Sequence, residues 1–134
     1  MNIEVQSQIL FGDVQGLKDW FLVHRLAHHG VDEAIAQAGR GSMPSATIDS
    51  DSAMHAWAAL MTPGATVDAL SRRALLNWMT LHDSLHQAEY GALGLGTAPD
   101  MGLADLGDEQ QFYDWMQVHS QVHDIENTAA GVTT

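Results

Sequence analysis

Apolar residues recur with the period of an α-helix in four stretches of this chain, separated by segments rich in small and turn-forming residues. Val14, Leu17, Phe21, His24 and His28 share one face and predict a first helix. Asp13 is placed to cap it; Gly30 marks its end or a kink, after which Asp32 to Ile35 continue it. Met54, Trp57, Leu60 and Met61 predict a shorter helix from about Asp51 that Pro63-Gly64 stops. Val67, Leu70, Ala74, Trp78, Leu81, Leu85 and Ala88 form the stripe of a long third helix, with Thr66 as its N-cap and its end near Gly91. Phe112, Trp115, Val118, Val122 and Ile125 mark the last helix, opened by Asp108 with Gln111 three residues on, the spacing of a capping box. Residues 39–50 read as a loop and 91–107, with five Gly and one Pro, as a long connection. Residues 1–12 form a leader, either a short strand or an early helical turn, and 127–134 a frayed tail. The pattern predicts an all-α, compact four-helix bundle with a short second helix, in one domain spanning 1–134.

Three of the four helices carry the same internal repeat. Trp20, His24 and His28, then Trp78, His82 and His86, then Trp115, His119 and His123 each read W-x3-H-x3-H. Steps of four place an indole and two imidazoles on one helical stripe, so each long helix offers two ring nitrogens to the bundle interior. If consecutive helices alternate in direction, His24 and His82 share a layer with His123, and His28 and His86 share one with His119. Any other connectivity reshuffles the layers, but each helix still supplies one His to each.

Composition narrows the chemistry. Apolar residues make up 46% of the chain and charged residues only 16%, so the surface leans on Ser, Thr, Gln and Gly or is covered by a partner. With no cysteine, disulfides, thiolate ligands and thiol nucleophiles are excluded together, and any metal must use imidazole and carboxylate. The formal charge is −12, and no Lys or Arg follows Arg73. Such a field repels phosphate backbones and anionic lipid, which argues against nucleic acid and membrane as partners. It favours a protein partner with a basic or mixed surface, or self-assembly. With no apolar run of spanning length and no signal-peptide pattern, the chain is expected to be soluble, cytoplasmic or within a particle.

Two His at i and i+4 are a recurrent way to present two nitrogens to one transition ion. The candidate metal ligands are His24, His28, His82, His86, His119 and His123, with Glu89, Asp124 and Glu126 within reach by spacing. Zinc or iron suits such donors. Asp19, Asp83 and Asp114 are candidates to orient an imidazole from behind. The alternative is a hydrogen-bonded core of indoles and imidazoles without metal, costly unless every polar group is satisfied. His29 and His55 lie off the repeats and read as exposed or locally bonded.

The segment from Phe112 to His119, followed by Asp124, resembles the last-helix motif of hemerythrin-like domains, F-x2-W-[LM]-x2-H-x4-D. His82 and His86 resemble that family's third-helix H-x3-H, and His24 and His55 fall in the helices where it also uses a His. The resemblance implies an oxo-bridged di-iron site that binds or senses oxygen, held by His24, His55, His82, His86, His119 and Asp124. The chain departs from the family at Ala59, where a bridging Glu would stand, and in giving His28 and His123 no role.

No nucleophile elbow, phosphate-binding loop or dinucleotide fingerprint is present, so no catalytic residue is assigned. The sequence supports a non-enzymatic structural or interaction subunit of a larger assembly, such as a virion component, with a Trp/His core around a zinc or iron ion. A hemerythrin-like oxygen- or iron-binding protein is the alternative, and a metal-dependent hydrolase a weaker one.

Overall fold

A computed structural model, which describes residues 9–43, 50–101 and 103–132, contains four α-helices. They are α1 (Val14–Gln37), α2 (Asp51–Leu60), α3 (Ala69–Ala92) and α4 (Glu109–Ala130), with no strand among the described residues. Each begins at a side chain that accepts a hydrogen bond from a free backbone amide of its first turn. Asp13 accepts from Gly16, Ser50 from Ala53, Asp68 from Ser71 and Asp108 from Gln111. Asp68 therefore caps α3, not Thr66. The expected capping box at α4 is half formed, because the Gln111 side chain accepts from the Asp105 amide instead of returning to Asp108.

The ends of α1 and α4 also differ from expectation. Gly30 does not end α1, which runs on to Gln37 with Val31 and Ile35 continuing the buried stripe past it. α4 runs four residues into the tail, where Asn127 is buried and Gly131, at φ 73°, closes the helix in the left-handed conformation that glycine adopts most readily. The leader lies outside the described residues up to residue 8. Beyond it, Ile9 is buried and the Phe11 amide donates to the Tyr113 hydroxyl at 3.0 Å.

The three long helices run in the same direction. Trp115 meets both Trp20 and Trp78 at one end, where all three lie early in their repeats, and Glu89 and Glu126, from the last turns of α3 and α4, meet His28 of α1 and His86 of α3 at the other. Parallel helices cannot be joined by tight turns, which accounts for the long connections. The short α2 fills part of the first return path and places Trp57, fully buried, against Trp20, Phe21, Trp78, Phe112 and Trp115. Across the second return path, the Gln87 side chain bonds both the amide and the carbonyl of Ala98 at 3.0 Å.

The buried stripe of each long helix is centred on the Trp-His-His positions. Leu70, Leu81 and Ile125 lie off that centre and are exposed by 74%, 51% and 46%, unlike the apolar stripes expected from the sequence. Among the described residues, no helix is long and apolar enough to cross a membrane.

Candidate metal centre

The repeats place six imidazoles at the bundle axis, and all six are 0% exposed. Their Nε2 atoms converge. His24, His82 and His119 form one layer, with Nε2 separations of 3.0 Å for His24–His82, 3.0 Å for His24–His119 and 3.3 Å for His82–His119. His28, His86 and His123 form the next layer, each one helical turn on and 3.0, 3.1 and 3.0 Å from its partner in the same repeat. The layers are those of parallel helices, not the mixed layers that alternating directions would give.

The spacing has a simple geometric meaning. An ion with nitrogen ligands at about 2.1 Å in an octahedron holds adjacent nitrogens about 3.0 Å apart and opposite ones about 4.2 Å apart. One ring nitrogen from each of the six imidazoles lies within 4.8 Å of all the others, and the shortest Nε2 separations cluster at the adjacent value. A metal-free hydrogen-bonded core fits less well. A neutral imidazole carries one N–H, and in the His24–His82–His119 triangle a proton on any Nε2 serves one neighbour and crowds the other. One cation at the centre accepts every lone pair at once.

Burial sets the protonation state that such a site needs. Desolvation is the first cause holding His24, His82, His86, His119 and His123 well below the ordinary imidazole value, and mutual repulsion adds to it. Desolvation likewise carries His28 down to about 3. The rings are therefore neutral, the ligating form, at ordinary pH.

Two carboxylates sit behind the second layer. The His28 Nδ1–H donates to Glu89 Oε2 at 3.2 Å, and the His86 Nδ1–H donates to Glu126 Oε1 at 2.7 Å and lies 3.4 Å from Glu89 Oε1. Glu89 and Glu126 thus face the outer nitrogens of His28 and His86 and fix in those two rings the tautomer that leaves Nε2 free, as carboxylates behind metal-bound His commonly do, whereas Nδ1 of His24, His82, His119 and His123 has no hydrogen-bond partner. Their two negative charges match a buried divalent ion. Burial raises the proton affinity of both, as it does for Asp32, which is pushed up to about 8 with Glu89 contributing.

Among the other sequence candidates, Asp124 is placed apart from the cluster. It is exposed on α4, five residues after His119, whereas only steps of three or four return to the buried stripe. His55, from the family resemblance, is exposed on α2, and His29 is exposed on α1. Asp19 and Asp114 are exposed and accept hydrogen bonds from Gln15 and Gln110, and Asp83 is half-buried away from the imidazoles.

Asp32, which lies beside the six imidazoles with His28 and Glu89 and is not one of the converging groups, was missed by sequence reasoning, although a signal was present. It stands one further step of four beyond His28, where α3 has Tyr90 and α4 has Asn127. Tyr90 and Asn127 are both 4% exposed, and neither the Tyr90 hydroxyl nor the Asn127 Oδ1 has a hydrogen-bond partner. Comparison of the chain with protein-family profiles, with curated proteins and with solved structures finds no match.

Proposed function

We propose that this protein is a metal-binding helical bundle in which one divalent first-row transition ion is held by His24, His28, His82, His86, His119 and His123. The observation that carries the reading is the convergence of six Nε2 atoms at octahedral spacing. Of zinc and iron, iron is favoured, because structural zinc sites are four-coordinate whereas ferrous iron accepts six nitrogens. The ion's contribution is cohesion: it joins three helices that no short loop connects, so its binding free energy becomes folding free energy.

Six imidazoles leave no coordination position for a substrate, which sets this reading apart from a hydrolase, whose metal keeps an open position. A hemerythrin-like di-iron centre is compatible with a helical bundle holding buried His, but its ligand set would need His55 and Asp124, both exposed. The reading is therefore non-enzymatic: a metal-stapled structural or interaction subunit. Its acidic, sparsely charged chain suits a basic or mixed protein surface or self-assembly within a larger particle.

Elemental analysis of protein purified without tag or chelator tests the core claim. One equivalent of iron per chain is the expected result, with His82→Ala lowering affinity about 100-fold or more in a chelator competition, beyond the range of outer-shell changes. Two equivalents of iron would favour the di-iron alternative. Protein that carries no metal and takes up none would leave the imidazoles as a polar core and defeat the proposal.

A further inference from the structure

The imidazole chamber is closed at one end and polar at the other. At the closed end, Trp20, Trp78 and Trp115 stack on His24, His82 and His119 at 9°, 9° and 12° between ring planes. Trp57 and Phe112, both 0% exposed, lie behind them. At the other end, Asp32, Glu89 and Glu126 come together beneath His28 and His86. His28, Asp32 and Glu89 form one close group of potential ligands, and His86, Glu89 and Glu126 another.

These carboxyl groups have oxygens to spare. Glu89 Oε1, Glu126 Oε2 and Asp32 Oδ1 are buried and accept no hydrogen bond from an N–H or hydroxyl group, and without a cation the carboxyls can satisfy one another only by sharing protons across Asp32–Glu89 and Glu89–Glu126. Glu89 and Glu126 are 0% exposed, while Asp32 is half-buried and is the member of the trio that reaches the surface. All three lie near the C-terminal ends of parallel helices, where the aligned dipoles are negative and where no helix has a basic residue in its last turn. The nearby cation Arg40 is exposed and turned to the Ala92 carbonyl at 3.1 Å. Like-charged buried carboxylates are stable together only when protonated or when a cation lies among them.

We propose that Asp32, Glu89 and Glu126 form a second, oxygen-rich cation site through which the metal reaches the six imidazoles. Asp32 meets the hydrated ion at the surface. Carboxylate oxygens replace its water first, as hard oxygen donors do for a divalent ion, and the ion then passes between His28 and His86 to the Nε2 atoms. The inference rests on the hexa-imidazole reading and adds the route and the residues that admit the ion.

Stopped-flow mixing of metal-free protein with Co2+ tests it, because three of the four tryptophans stack on the ligand rings and a paramagnetic ion there quenches their fluorescence. Asp32→Asn and Asp32→Ser should each slow uptake tenfold or more. Kd should change by less than about threefold, because admission and release slow together, and Asp32→Glu should restore the rate. Full quench amplitude at equilibrium identifies a folded variant. Uptake within twofold of wild type, or a loss of affinity as large as the loss of rate, would overturn the route while leaving the six-imidazole site standing. Wild-type protein that shows no quenching with Co2+ would overturn both.

Discussion

The indole end and the carboxyl end of this bundle are built on the same three helices about three turns apart, yet they are held by different physics. At the indole end, Trp57 sits fully buried among aromatic rings 5.3 to 6.1 Å away. That packing removes apolar area from water whatever the chamber contains. At the carboxyl end, Asp32, Glu89 and Glu126 are crowded together with unpaired oxygens, an arrangement costly in isolation and favourable around a cation. On the proposed reading, aromatic packing brings the helices together without an ion, and an ion adds cohesion at the polar end that the carboxyls alone do not supply.

The sharpest way to break this comparison is to damage the two ends separately. Trp57→Ala should cost about 3–5 kcal/mol of stability, the range for removing a large buried aromatic, in metal-free and metal-loaded protein alike. Urea unfolding of both forms checks it, and a loss confined to the loaded form would show that the indole end depends on the ion. Glu126→Gln should do the converse. It should weaken metal affinity by about 10- to 100-fold, the usual cost of losing an orienting carboxylate, and leave the metal-free protein as stable as before or more so. Chelator competition and urea midpoints together decide it.

Acidity sharpens the same contrast. The fold holds six imidazoles neutral that the unfolded chain protonates near their ordinary value of 6.5. The unfolded state therefore binds more protons, and metal-free protein should lose stability as pH falls below about 6.5, by about 1.4 kcal/mol per pH unit for each proton of difference. The carboxyls oppose this. Their raised proton affinities mean that the folded state binds more protons above the ordinary carboxylate range, so stability declines as pH rises through 7 toward 8, the window of Glu89 and Asp32. The six imidazoles outnumber the three carboxyls on the acid side, which puts the maximum near neutrality. Urea midpoints from pH 5 to 8 measure it, and a maximum that stays at pH 5 would contradict neutral buried imidazoles. The smallest effect concerns the helix that delivers Trp57: Ser50→Ala removes the α2 cap, which accepts from Ala53, and should cost about 1 kcal/mol by thermal melting.

Much of this was legible in the sequence for identifiable reasons. Helical periodicity and capping residues are local, so the four helices and the Asp13 and Asp108 caps follow from neighbours a few residues apart. The six His followed because the step of four is itself a statement about one face. Direction is not local. Nothing near residues 38–50 or 93–108 states whether a helix returns beside its predecessor or begins again from the same end, so the layering of the imidazoles had to come from the structure. Glu89 and Glu126 were found by their distance from a His, but the role of facing Nδ1 depends on helix rotation. Asp124 failed the same test, since five residues after His119 lies off the buried stripe. Asp32 was missed because the repeat was followed for two steps and not a third.

That the long helices share a direction gives the molecule a near-threefold axis through its six imidazoles. The chain behaves as a trimer of one helical module tied end to end, and the ties contribute none of the six imidazoles. Tethering also permits what three identical chains could not achieve. The step beyond the second His is Asp32 in one module, Tyr90 in the next and Asn127 in the third, so a symmetric set of imidazoles opens on an asymmetric polar end, and the symmetry of the rings is not the symmetry of what adjoins them.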